Sequence, residues 1–207
     1  MISSAPDPGR AAVDLYWIPL GAGQHSVRLN GIVYETVVAT IQRRTRCDLY
    51  HSVLELHLPS GHYWVEMTPV PDRDGERRGV VARGAVGSTM LGRLRLFAYE
   101  VRRWRDGVVP DLAYAVASPI RVARDLSVAH RVFDALPHVP TLVWGRDELS
   151  VGDMWSCNSI ISWALVTAGV DAGAISLPPR ARAPGWDAGI AAATAARVTC
   201  PRRQNRL

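Results

Sequence analysis

The sequence predicts an α+β domain: a small antiparallel sheet packed on one buried helix that carries a cysteine. Three observations point there. Strand-like segments fill the first half of the chain. One of them, "DLYHSVLELHL" followed by "PSGH" and "YWVEMTPV", has the pattern of a hairpin. Late in the chain, "GDMWSCNSIISWALVTAGV" is an almost unbroken apolar segment, entered through a turn and closed at Gly169.

The elements follow in order. Residues 1–12 read as a disordered lead-in, because "MISSAPDPGR" puts Pro, Asp and Arg where a signal peptide needs a basic start and an apolar stretch. "VDLYWIPL" alternates and is β-rich, so it is a first strand, closed by "GAG". "NGIVYETVVATIQRR" predicts a helix begun near Asn30. In the hairpin, period-two alternation places His51, Val53, Glu55 and His57 on one face. Ser52, Leu54, Leu56 and Leu58 take the other.

"PDRDGERRG" is a charged loop, "RLRLFAYEVRRW" a third strand and "SPIRVARD" another short one. A helix follows over "LSVAHRVFDAL", terminated by Pro137. "HVPTLVWGRDELSVGD" is a loop leading to the cysteine helix. After Gly169 the chain is loop-like through "LPPRARAPGWDAGI" and closes with an Ala-rich helical stretch. No repeat or long linker divides it, so residues 13–195 form a single domain and 196–207 a basic tail.

Composition narrows the chemistry. With 207 residues and 48% hydrophobic content, one domain buries a sizeable core. No apolar run approaches the ~20 residues of a membrane span, so a cytoplasmic protein is expected. The net charge is +5, and every one of the 24 Lys+Arg residues is arginine. Schiff-base chemistry and a P-loop lysine are therefore excluded. The arginines are dispersed and no nucleic-acid motif accompanies them, so nucleic acid is not a favoured partner. Three scattered cysteines, Cys47, Cys157 and Cys200, argue against a disulfide framework.

Cys157 stands in the opening turn of its helix, where unpaired N–H groups and the positive dipole end favour thiolate. Asp153 and Ser156 both qualify as the cap, and the choice moves Cys157 by nearly a turn. His51 begins a strand and is the preferred proton acceptor. Glu66, on the returning strand, falls within a residue or two of His51 and is the candidate orienter, with Glu55 as the alternative. Trp155, His57 and Trp186 are candidate substrate-binding residues. His25, His62, His130 and His138 have no supporting pattern. Cys47, His51, His57 and His62 lie within sixteen residues. Their spacing matches no standard zinc template, so no metal and no other cofactor is expected. A serine hydrolase is disfavoured by the lack of "GxSxG".

"HSVLELHLPSGHYWVEM", followed about ninety residues later by "WSCNSIISWAL", resembles the circularly permuted papain-like group. That group includes permuted NlpC-type peptidases and the lecithin:retinol acyltransferase relatives. In it a histidine opens the first strand of a hairpin, a polar residue sits on the second strand, and the cysteine comes later at a helix start. The resemblance implies His51 as base, Glu66 as orienter and Cys157 as nucleophile. The asparagine-cysteine-glutamate-histidine motif of the acyltransferase relatives is lacking.

The leading expectation is therefore a cysteine-dependent hydrolase or acyltransferase. It would act on an amide or ester of a small molecule, peptide or lipid through an acyl-enzyme. The competing expectation is a non-catalytic peptide- or lipid-binding module on the same scaffold. An arginine-rich surface for acidic ligands is a third.

Overall fold

In the computed structural model the described residues are 12–21, 47–70 and 79–199. They form an α+β fold. The strands are β1 (Ala12–Pro19), β2 (Asp48–Leu58), β3 (Gly61–Pro69), β4 (Val80–Ala85), β5 (Ala98–Arg105), β6 (Val116–Ala123) and the two-residue β7 (Ala181–Arg182). The helices are α1 (Leu126–Ala135), α2 (Cys157–Thr167) and α3 (Trp186–Thr199).

Six strands lie antiparallel in the order β4-β5-β3-β2-β1-β6, and β7 adds in parallel to the start of β2. The sheet is thus larger than expected. The "VVARGA" strand β4 and the two-residue β7 are additions, and "RLRLFAYEVRRW" splits into 3-10 turns and then β5. The helix expected near Asn30 and most of the "PDRDGERRG" loop lie outside the described residues. Two boundaries move by a few residues: Ala12 already belongs to β1, and α3 runs on past residue 195 to Thr199.

The β2–β3 hairpin closes with Leu58 opposite Gly61, as the alternation implied. Gly61 has φ +132°, and a Cβ there would strike the Arg105 side chain. The positive φ favours glycine here; the Arg105 side chain is exposed and can move aside. The two strands stay paired only from Leu58 back to Leu54, which faces Val65. Upstream of Leu54, β2 keeps β1 on one side while β3 departs to pair with β5. That splay opens an edge along Tyr50–Ser52, and the start of α2 fills it.

Alternation sorts the layers. Tyr50, Leu54, Leu56 and Leu58 join Trp17, Val65, Tyr99 and the apolar residues of α1 and α2 in the main core. Helices α1 and α2 cover this face, and α3 stacks on α2. The opposite face carries a smaller apolar cluster of Ile18, Val53, Trp64 and Val109, beside buried charged groups.

Helix α2 is buried from Cys157 to Val166, so no amphipathic stripe could have been read from it. Its contact with α3 is close. A Cβ on Gly189 would overlap the Ser159 carbonyl and the Ser162 hydroxyl, and only glycine lets the helices approach so nearly.

Candidate functional site

Ser156, not Asp153, caps α2. Its hydroxyl accepts from Asn158 N, and the Ser159 hydroxyl accepts from Ser156 N, completing a capping box. Cys157 is therefore the first residue of the helix. Asp153 acts between the helices instead. It accepts N–H groups from Gly185, at 2.8 Å, and from Asp187, at 3.2 Å, and so ties the start of α3 to that of α2. Burial raises its pKa, and these hydrogen bonds only partly oppose the rise.

The entrance of α2 is clasped to β2 by buried polar contacts. The Ser52 hydroxyl donates to Asn158 Oδ1 at 2.8 Å. Asn158 Nδ2 donates to the carbonyls of Tyr50, at 3.0 Å, and Pro184, at 2.9 Å. The Tyr50 carbonyl on the open edge of β2 is thereby satisfied by the asparagine side chain. Cys157 and His51 are the immediate chain neighbours of the two clasped residues.

Their electrostatics run against a charged pair at rest. Burial pushes the Cys157 thiol up to about 11, and hydrogen bonding from Asn158, Ser156, its own backbone and Ser52 only partly offsets this. Burial pulls His51 down to about 4. Both groups are neutral near pH 7. His51 also leaves β2 on the face opposite Ser52, by alternation, so the sulfur meets the strand at its edge and the imidazole on its far face. Among the described residues, no hydrogen bond joins the two.

The expected orienters are engaged elsewhere. Pairing of β2 with β3 ends at Leu54–Val65, one residue short of Glu66. Glu66 instead lies opposite Arg102 of β5 and contacts its guanidinium at 3.5 Å. Burial raises its pKa despite that partner. Glu55 accepts from the Tyr16 hydroxyl at 2.8 Å and faces His57 and His62.

The expected substrate walls are core. Trp155 is 1% exposed. Trp186 packs on Trp17 with ring centroids 4.9 Å apart and donates its indole N–H to the Ala172 carbonyl. Neither ring faces a cleft: each sits where two layers meet, and large aromatics fill such space. His57 is buried in a charge network on the other face of the sheet.

That network is what sequence reading missed. His57 Nε2 lies 3.0 Å from Asp14 Oδ2 and 3.5 Å from Glu55 Oε2. Arg121 of β6 donates twice to Asp14. Hydrogen bonds to Asp14 and Glu55 raise His57 to about 9. Burial alone would raise Asp14 and Glu55, but their cationic and hydrogen-bonding neighbours hold both below the usual carboxylate range. Glu55, His57 and His62 each offer a ligand atom, all within 4.8 Å of one another, and could hold a metal ion. One signal was present in the chain. Asp14 interrupts an otherwise apolar strand, "AAVDLYWIPL", and a charge at such a position needs a buried partner. No family model, curated protein or solved structure matches the chain.

Proposed function

We propose that the chain is a cysteine-dependent hydrolase or acyltransferase for an amide or ester, on a permuted papain-like scaffold. The observation that carries this reading is the clasp of Ser52 to Asn158, which ties the strand bearing His51 to the helix entrance bearing Cys157. The order of histidine strand before cysteine helix agrees with the resemblance. Backbone hydrogen bonding converges on the sulfur at the helix start, the environment that suits a developing anion.

At rest the thiol, at about 11, and the imidazole, at about 4, are both neutral. The gap between them opposes proton transfer until the helix-entrance donors stabilise the charge that develops on a bound substrate. The thiol starts protonated, so proton loss accompanies attack on the carbonyl instead of preceding it. On this reading the His51 side chain must first turn around the open edge of β2 to reach the sulfur. It then accepts the proton as the sulfur–carbon bond forms and delivers it to the leaving amine or alkoxide. Water, or another acceptor, cleaves the acyl-enzyme. With no carboxylate on the imidazole, this is a dyad, and its rate rests on the donors at the helix entrance.

A second reading is favoured by burial. At 8% exposure and with a raised pKa, Cys157 also suits a packed plug in a non-catalytic peptide- or lipid-binding module. Iodoacetamide labelling of the native chain across pH separates the two. The enzyme predicts Cys157 modification well below the free-thiol value of ~8.5, because His51 takes the proton as the sulfur attacks the reagent, and loss of that modification in His51→Ala. Labelling only above that pH, unchanged by His51→Ala, supports the plug.

A further inference from the structure

We propose that Glu55, His57 and His62 form a mononuclear site for a divalent ion of the zinc class, with a solvent-facing coordination position. It lies on the sheet face opposite α2 and is independent of Cys157.

The first argument is geometric. Bonds of about 2.0–2.2 Å in a tetrahedral shell place neighbouring ligand atoms roughly 3.3–3.5 Å apart. The ligand atoms, one from each residue, all lie within 4.8 Å of one another. Glu55 Oε1 is 3.3 Å from His62 Nδ1 and its other oxygen, Oε2, is 3.5 Å from His57 Nε2, so a small turn of the carboxylate puts one oxygen near both rings. The third separation, between the two imidazoles, is within 4.8 Å. A small rotation of the half-exposed His62 ring closes it.

Chemistry selects the ion. Two imidazoles and one carboxylate suit zinc, cobalt or nickel, whereas calcium and magnesium demand oxygen ligands. The backbone holds the set firmly: His57 and His62 face each other directly across β2 and β3. Sites on paired strands keep their geometry better than sites on loops.

The surrounding residues complete the arrangement. The Tyr16 hydroxyl donates to Glu55 Oε2 at 2.8 Å, fixing the carboxylate. Asp14, held by Arg121, accepts from His57 Nε2 at 3.0 Å; an entering ion displaces that proton, and the carboxylate then supplies compensating charge. Asp14 is not counted as a ligand, since it lies outside the mutually close set. His57 and Glu55 are buried, while the His62 side chain is 39% exposed, so an ion reaches the site past His62 and solvent completes its shell.

The test uses the full chain, stripped by a chelator and titrated with cobalt(II) and then zinc(II). Expected are one ion per chain by calorimetry and intense visible cobalt bands of low coordination number. His62→Ala should lower affinity roughly a hundredfold or more without unfolding, because that ring is partly exposed. Tyr16→Phe keeps the ring, removes the hydrogen bond and should cost about 10–100-fold. The proposal is overturned by absent saturable binding, by unchanged affinity in His62→Ala, or by sulfur-to-cobalt charge-transfer bands placing the ion on a cysteine.

Discussion

At the scale of single residues, burial sets the chemistry of His51 and Cys157, whereas charged partners set that of His57. His51 is the plainest case. Its folded pKa of about 4 lies below the ordinary histidine value of 6.5, so the unfolded chain takes up a proton that the native chain refuses. The stability tied to His51 is complete above pH 6.5 and is lost as pH falls towards 4, by roughly 3 kcal/mol at most. Urea denaturation between pH 7 and pH 4 should show a steeper loss for the native sequence than for His51→Phe. Parallel curves would refute the burial argument. Asn158 shows the opposite solution: buried and polar, it has both ends of its amide engaged and stays neutral.

Among the elements, the α2–α3 contact sets the sharpest constraint. Gly→Ala inside a helix ordinarily stabilises by up to about 1 kcal/mol. At Gly189 the new methyl would overlap the Ser159 carbonyl and the Ser162 hydroxyl, and neither can swing away, because Ser162 is bound to the Trp186 carbonyl at 2.7 Å. Overpacking of this kind costs about 1–3 kcal/mol, so Gly189→Ala should destabilise despite its better propensity. A shift of the urea midpoint to lower concentration measures it; a rise would show that the helices can part without penalty. The splay of β3 from β2 is the other decisive element. It exposes the edge that Asn158 fills, and it removes Glu66 from the reach expected of it.

For the molecule as a whole, the sheet separates two polar clusters, the Ser52–Asn158 clasp beside Cys157 and the Glu55–His57–His62 group. Ser52, at the cysteine end of β2, and His57, at the metal-competent end, are five residues apart in one strand. At about 3.3 Å per residue that is roughly 16 Å, and the two groups occupy opposite faces. Changes at the two places should therefore be independent. The double variant Cys157→Ser/His62→Ala should lose stability equal to its two single variants within about 0.5 kcal/mol. A larger discrepancy in denaturation would mean that β2 transmits strain between them.

The sequence by itself determined the local structure: the β2–β3 hairpin, the helix closed near Pro137, and the buried helix carrying Cys157 near its start. Each announced itself through period, turn residues and caps, which act over a few positions. Strand β4 escaped because it is short, carries Arg83 and Gly84, and has no buried residue to mark a periodic face. Only the tertiary structure decided which side chains meet. Arg121 reaches Asp14 across 107 positions, and Asn158 reaches Ser52 across 106. Such pairs depend on strand order and register, and no local pattern encodes them. The same holds for Cys157, whose pKa burial raises, and for His57, whose pKa its hydrogen bonds to Asp14 and Glu55 raise against burial.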